Sequence, residues 1–543
     1  MSTDEDNESR SAIPLSRQKI EDLERDVRQF WERLELQNTV RIETLIKGAK
    51  IAKDPPNVAL IGLSGPERQA IFSEKRQLPW QARGLLVTVM VTACAAITQG
   101  WQQSTINGSA LFSWWESVGL QKPKDELLIG VINAAPWLSA SLVGTWLSDP
   151  LQDRYGRRPA LFVAALFCVF LVIGTAQCNH WKTLLVCRCL LGVGIGSKAS
   201  IAPVFAAEAA PDEHRGRVLM MWQLFDTFGI FLGFLCAFLV RGDWRILLAT
   251  AIIPAIVLLF LVFICPESPR FLIQKHRYVE AYKSLLELRG TEIQAARDLY
   301  NIHSQLQVEA TKIWKSPNER LWSEQENRYI YQRWISKRNF FSRMWYLFTD
   351  PRSRRACMVA LIVMLSQQLC GMNVLAFYSS DLIKSSGMTD FTPRIESYNL
   401  GFGLANFLFT FPAFFFIDSS GRRPLLLVSF SGMLCSLAAV AGFFKLTDPE
   451  TRLILVAIIS IAVFVFFYSI GAGPIPFTLS AEVFPLHVRD VGMSFSVMIN
   501  FLFLGLLVFA VPSLTTKFGH GNVCGEASEN LCNGQANLLG FFT

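Results

Sequence analysis

The sequence is poor in charged residues and in histidine. Asp, Glu, Lys and Arg make up 17% of its 543 residues, whereas 51% are apolar and 42 are Phe. A soluble domain of this size needs more polar surface, so the composition excludes an entirely soluble fold. The 6 histidines lack metal-ligand spacing, and the net charge of +7 is spread over loops. We therefore predict no metal site and no nucleic-acid partner.

The sequence also lacks the motifs of common catalytic sites. It has no Walker phosphate loop and no nucleophile elbow, and its polar N-terminus does not resemble a cleavable signal peptide. Most of its 12 cysteines lie in or beside apolar runs, where a thiol acts as a small hydrophobe. Cys524 and Cys532 are exceptions that form one disulfide or remain two free thiols. We predict a protein that is not an enzyme and that needs no cofactor.

What the sequence does contain is a series of apolar runs long enough to cross a bilayer, which takes ~20 helical residues. Six precede a polar segment, at 84–108, 127–147, 159–178, 182–207, 217–240 and 244–265. Five follow it, at 356–382, 397–418, 424–445, 452–480 and 490–512. They predict an all-α, polytopic membrane protein of two helical bundles.

These apolar runs and the polar segments around them divide the chain into four predicted parts. They are a helical N-terminal region at 1–83, a six-helix bundle at 84–265, a helical loop at 266–353 and a second bundle at 354–543. The apolar residues 538–542 resemble the first turn of a twelfth membrane helix, so we expect this second bundle to be incomplete. Lys and Arg are concentrated on the side of the 266–353 loop, which predicts a cytosolic N-terminus and loop. We expect the plasma membrane as the location.

A charge pattern occurs twice. An Asp precedes an Arg by four residues, and one hairpin later a Glu precedes an Arg by seven. The residues are Asp153, Arg157, Glu208 and Arg215 in the first half, and Asp418, Arg422, Glu482 and Arg489 in the second. Such duplication indicates two related halves that rock around a central site. We interpret the eight residues as a cytosolic gate whose ion pairs break when the inside opens; a role in topology alone explains the arginines but not the acids.

Further motifs accompany this pattern in a fixed order. They are Arg188-x3-Gly192-x-Gly194-x-Gly196, Pro266-Glu267-Ser268-Pro269-Arg270, Gln367-Gln368-Leu369-Cys370-Gly371-Met372-Asn373, Gly473-Pro474-Ile475-Pro476 and Glu482-Val483-Phe484-Pro485. With these motifs, the chain resembles the sugar porters of the Major Facilitator Superfamily, and its N-terminal helices resemble the fungal branch. The resemblance implies the fold of that superfamily and transport of a hexose or polyol by alternating access.

Amides are the expected sugar ligands. Gln367, Gln368 and Asn373 interrupt an apolar run, and an amide both donates to and accepts from a hydroxyl without carrying charge. Polar groups in lipid need a partner or a wet cavity, so these three line a cavity or hold helices together. The resemblance adds Gln223 and Asn406 as sugar-binding amides. It also implies an aromatic lining of Phe377, Phe477 and Phe501, for which ordinary core packing is the alternative.

One position departs from the proton-coupled sugar porters. They carry an Asp where this chain has Gln102, which cannot titrate, so we predict facilitated transport without a proton. Arg188 then lacks its expected acidic partner. Asp226 lies three residues after Gln223, and it either pairs with Arg188, serves as a relocated proton site, or is solvated near a helix end. The alternatives are therefore a proton-coupled symporter that uses Asp226, a non-transporting sugar sensor, or an inactive truncated product.

Overall fold

The computed structural model describes residues 20–34, 36–54, 62–76, 82–122, 124–240, 242–314, 340–385, 392–443, 459–485 and 487–518. Within these ranges the regular secondary structure is helical throughout. Among the described residues, 11 helical segments are long and apolar enough to cross a membrane. The all-α class and the predicted number of spans are thereby confirmed. The expected twelfth helix, and Cys524 and Cys532, lie outside the described residues.

We number the membrane segments as spans 1 to 11. Spans 1–6 are Arg83–Ala110, Glu126–Tyr155, Arg157–Gln177, Trp181–Ala209, Asp212–Leu239 and Trp244–Ile264. Spans 7–11 are Pro351–Ser380, Ile395–Ser420, Arg422–Val440, Ile461–Val483 and Arg489–Val511.

Span 7 is broken in its middle. One helix ends at Leu369 and the next begins at Met372, with Gly371 between them at φ +88°. This left-handed conformation favours glycine, which has no Cβ to clash with its own backbone. The break separates Gln367 and Gln368 from Asn373 and frees backbone groups in the interior, a feature that membrane transporters use around binding sites.

Spans 1 and 5 approach each other closely because glycines line their contact. A Cβ atom on Gly100 would lie 2.0 Å from the carbonyl oxygen of Asp226, and one on Gly229 would lie 2.4 Å from that of Ile97. Small residues allow this approach between membrane helices, where packing rather than the hydrophobic effect drives association. The contact sets the polar side chains of span 1 beside Gln223 and Asp226.

Shorter helices cover one end of the bundle. They are Ile20–Arg33, Ile42–Lys53, Gly65–Arg76, Pro269–Gln274, Tyr278–Arg289, Glu292–Trp314 and Phe340–Thr349, and we call the end that they cover the loop face. Leu23, Val27 and Phe30 of the first helix are buried against Tyr278 and Tyr300. The N-terminal helices are therefore packed on the central loop helices. The other end of the bundle, around Asn107 and Ser379, is called the opposite face.

Candidate functional site

A cavity lies between the two bundles, near the middle of the spans. Its polar lining comes from both halves: Gln99, Gln103, Gln223, Asp226, Gln367, Gln368, Asn373, Asn406, Tyr468 and Asn500. The structure thus brings the five predicted amides together. The cavity has a volume of about 40 Å³. That is room for a few waters but well below the ~150 Å³ of a cavity that takes a benzene ring, so the site is contracted here.

The amides form a chain of hydrogen bonds. Gln367 Nε2 donates to the Gly473 carbonyl at 2.8 Å, and Asn500 Nδ2 donates to Gln367 Oε1 at 2.7 Å. Across the break in span 7, Asn373 Nδ2 donates to Gln368 Oε1 at 2.5 Å. Gln367 thus uses one donor and one acceptor, whereas these bonds use one group each of Gln368 and Asn373, which leaves other donors and acceptors for hydroxyl groups in the cavity. Such a network fixes the orientation of the amides before a ligand arrives.

The predicted aromatic lining is only partly present. Phe477 and Phe501 line the central cavity. Phe377 instead packs edge-on against Trp137, with ring centroids 5.6 Å apart, and lines a separate cavity toward the opposite face. The prediction that Phe377 lines the same cavity as Phe477 and Phe501 is therefore wrong for this structure, because the second half of span 7 turns Phe377 toward span 2.

The opposite face is closed by hydrogen bonds between spans 1 and 7. Asn107 Nδ2 donates to the Ala376 carbonyl and to Ser379 Oγ, both at 2.8 Å. Asn107 and Ser379 are buried, and Ser379 also donates to Asn399 Oδ1 at 2.7 Å. This polar contact joins the two halves between the cavity and the opposite face.

The loop face is closed by an ion-pair cluster around Arg157. Its guanidinium donates twice to Glu208, at 2.9 Å each, and also to Asp490 at 2.9 Å. Ser268 Oγ donates to Glu208 at 2.6 Å, and Glu267 accepts from the Arg157 backbone N–H at 3.0 Å. Asp490 belongs to the second half, so this cluster links the bundles.

The other gate residues take several different partners. Asp418 lies 3.5 Å from Arg217 and 3.6 Å from Arg422, and Arg422 binds Glu482 at 2.9 Å. Asp153 lies 3.6 Å from Arg343, and Arg215 lies 2.9 Å from Asp212. The pairing of Arg with Glu across one hairpin thus recurs in both halves, whereas the two Asp residues make different contacts.

Several arginines lie close together at the loop face. Arg489 lies near Arg270, which is buried at the loop face. Burial, together with the guanidinium groups of Arg489 and Arg215, lowers the pKa of Arg270 to about 9. Burial likewise raises the pKa of Glu267. The loop face therefore combines attraction between opposite charges with repulsion between arginines and the cost of burying charged groups.

The predicted pairing of Arg188 with Asp226 does not occur. Arg188 Nη1 donates to Asn133 Oδ1 at 2.8 Å and to the Ile132 carbonyl at 3.2 Å. Asp226 instead lines the central cavity, and the cation that acts on it there is Lys198. Lys198 lies ten residues beyond Arg188, ~15 Å along span 4, so Arg188 is at the wrong depth for Asp226. Gln102 lies with Arg188 at another cavity.

Sequence reasoning missed several of these residues. Lys198 is fully buried, and among the described residues neither its Nζ nor Asp226 Oδ1 has a hydrogen-bond partner. The position of this lysine inside an apolar span could have indicated a functional role from the sequence alone, because intramembrane charges tend to be functional. Asp490 stands next to a predicted gate residue, but no spacing in the sequence indicates that it contacts Arg157.

Comparisons with known proteins agree with this architecture. A sequence model of the family described as "Sugar (and other) transporter" matches residues 87–527. The galactose-proton symporter of Escherichia coli is 30% identical over 71% of this chain and 78% of its own. "Probable polyol transporter 3" of Arabidopsis thaliana is 28% identical over 80% and 83%.

Solved structures share the fold. The proton:xylose symporter XylE bound to 6-bromo-6-deoxy-D-glucose superposes with a TM-score of 0.67 at 19% identity, covering 84% of this chain and 95% of that one. A partially occluded inward open XylE from E. coli gives 0.66 at 18% identity, covering 85% and 98%. At such identities the likeness concerns the fold alone, whereas the family match rests on sequence. The chain belongs to the sugar (and other) transporter family.

Proposed function

We propose that this protein moves a small carbohydrate, a hexose or a polyol, across a membrane by alternating access. The central cavity carries the proposal, because its amides come from both bundles and sit between two closed polar contacts. Amides suit neutral, densely hydroxylated ligands, and Phe477 and Phe501 offer ring faces for the apolar side of a sugar. Relatives named as polyol transporters and as galactose- or arabinose-proton symporters support the same substrate class.

Transport would proceed by opening the loop face and the opposite face in turn. Separation of Arg157 from Asp490 and of Arg217 from Asp418 would open the loop face, while the contacts of Asn107 held the opposite face shut. Breakage of the Asn107 contacts would open the opposite face instead. Both openings would widen the same cavity, so a sugar could enter from one side and leave on the other. No bond in the substrate is made or broken.

The loop face would lie in the cytosol. Lys and Arg are concentrated there, and such residues mark the cytosolic ends of membrane helices. Sealed cells that express the protein with an N-terminal epitope provide a test. The epitope should be protected from external protease until the membrane is permeabilised.

We propose facilitated transport, because Gln102 cannot exchange a proton. A second candidate is proton symport through Asp226. It is favoured by a specific observation: Asp226 lines the substrate cavity, and its Oδ1 has no hydrogen-bond partner among the described residues. Protonation there would change the charge facing both the sugar and Lys198.

Uptake of labelled sugars tests the function. The full chain would be expressed in cells that lack their own hexose carriers, and a panel of hexoses and polyols would be supplied. At least one should accumulate or equilibrate in a saturable manner, and Gln368→Ala should weaken this uptake. Gln305→Ala, which alters an amide on a loop-face helix, is the matched control. Sugar binding without flux would favour the non-transporting sensor. The absence of both binding and flux would refute the proposal.

A further inference from the structure

A second cavity lies wholly inside the first bundle. It has a volume of about 30 Å³ and is lined by spans 1, 2, 3, 4 and 6. Its polar lining consists of Gln102, Thr105, Thr175 and Arg188, the indole of Trp137 adds one N–H group, and the remaining walls are apolar. Because spans 7 to 11 contribute nothing to its lining, this cavity is distinct from the sugar site between the bundles.

The cavity is bordered by a cation without a matching anion. Arg188 is 2% exposed, and its Nη2 has no hydrogen-bond partner among the described residues. Its neighbours there are neutral: Asn133, the Ile132 carbonyl, and the Trp114 ring, whose centroid lies 5.0 Å from the guanidinium carbon. A buried charge with neutral partners alone is costly, since few groups replace the water that it has lost.

Unused donors line this cavity from spans 1, 2 and 4. Gln102 is 4% exposed, and neither of its side-chain polar atoms has a partner in the described part of the chain. The hydroxyl protons of Thr105 and Thr175 are occupied, because they donate to the carbonyls of Gln102 and Val172. The donors left for a ligand are therefore Gln102 Nε2, Arg188 Nη2 and the indole N–H of Trp137, which also lines the cavity and has no partner among the described residues. Together these groups carry one positive charge.

We infer that this cavity binds a small monovalent inorganic anion, chloride under physiological conditions, as the counter-charge of Arg188. The charge selects an anion over water alone, and a cavity of about 30 Å³ fits a monatomic ion better than a polyatomic acid. An intramembrane arginine is thereby neutralised by a diffusible ion, at a position where Gln102 supplies an amide rather than a carboxylate. The inference is independent of which sugar the protein carries.

A neighbouring cavity lies between Arg188 and the opposite face. Trp114 and Asn133, which contact Arg188, also line a cavity bordered by Lys122. Lys122 lies over the Trp115 ring, with its Nζ 4.1 Å from the centroid. A cation at the mouth of a narrow passage raises the local concentration of anions. Chloride should therefore enter from the opposite face.

Thermal unfolding of the purified full chain tests the site. Melting would be followed in sodium chloride and in sodium gluconate at equal ionic strength, because gluconate is too large for the cavity. We expect chloride to raise the melting temperature in a saturable manner by about 2–5 °C, since it binds the folded state alone. Arg188→Gln should abolish this rise. Gln102→Glu should abolish it too, but with a high melting temperature already in gluconate, because the new carboxylate replaces the ion.

Lys182→Gln is the matched control, because it removes an exposed cation near the same end of span 4. This variant should keep the full chloride response. A wild-type melting temperature that is the same in both salts would overturn the inference. So would a chloride response of normal size in Gln102→Glu, which decides the matter even if Arg188→Gln does not fold.

Discussion

Arg157 and Asp490 join the two bundles at the loop face through hydrogen bonds of 2.9 Å. The Arg157 side chain is 1% exposed, and the same guanidinium is also bound twice by Glu208 of its own bundle. If the halves separated at the loop face, the arginine would keep Glu208 as a partner and Asp490 would move into water. The buried charge of Arg157 would then be compensated in both states.

This geometry predicts the effect of Asp490→Asn. The fold should persist because Glu208 still binds Arg157, but the loop face should open more readily, by about 1–3 kcal/mol. Hydrogen–deuterium exchange at the loop-face ends of spans 2 and 11 should be roughly 5- to 150-fold faster than in the wild type.

Asp212→Asn serves as the control for this variant. Asp212 also pairs with an arginine at the loop face, but its side chain is 64% exposed. An exposed pair contributes little, so exchange should stay within about twofold of the wild type. Equal exchange rates in Asp490→Asn and Asp212→Asn would show that the Arg157–Asp490 contact does not control opening.

The coupling mechanism gives a second prediction. Because Gln102 has no proton to exchange, sugar uptake should change little when an uncoupler collapses the proton gradient. If uptake does follow the gradient, Asp226→Asn should remove the dependence and leave downhill flux, because the amide keeps the shape of the carboxyl group. Gradient-driven accumulation that survives in Asp226→Asn would mean that both positions have been misassigned.

A third prediction concerns the helices of the loop face. Burial alone would raise the pKa of Asp298, but the guanidinium groups of Arg297 and Arg289 outweigh it and lower the pKa to about 2. The pKa of Asp298 is therefore depressed below the ~3.9 of an unfolded chain. Its stabilising effect is complete above about pH 5 and is lost as the pH falls toward 2.

Asp298→Asn tests this contribution directly. The change leaves the guanidinium groups of Arg289 and Arg297 short of a carboxylate, although Glu74 still binds Arg297 at 2.7 Å. We expect the loop-face helices to become several-fold more sensitive to limited proteolysis at pH 7. Near pH 2 the variant and the wild type should become alike. A difference that stays the same size at both pH values would contradict the assigned role of the Asp298 charge.

The membrane helices were the most predictable part of the fold. A span needs ~20 apolar residues, and runs of that length can be found directly in the sequence. The convergence of Gln367, Gln368 and Asn373 followed from the same logic, because an amide inside an apolar helix must face other polar groups. Local composition was sufficient in both cases.

Pairings between distant spans were less predictable. The sequence indicates that Arg188 and Asp226 are buried. They do not contact each other, because they lie at different depths in the bundle and on differently rotated helices. The break at Gly371 turns Phe377 away from the central cavity, although the family resemblance placed it there. Asp490 contacts Arg157 across 333 positions in sequence, and only the packing of the two bundles creates that pair.

Sugar binding and flux in proteoliposomes test the central claim most directly. Purified wild type and the double variant Gln367→Ala/Gln368→Ala would be compared with the best substrate from the uptake panel, with Gln305→Ala as control. Removal of buried hydrogen-bond partners costs about 1–3 kcal/mol each. The double variant should therefore bind the sugar at least about tenfold more weakly and lose flux in proportion, while the control matches the wild type. Near-normal affinity in the double variant would contradict the assignment of the central cavity as the sugar site.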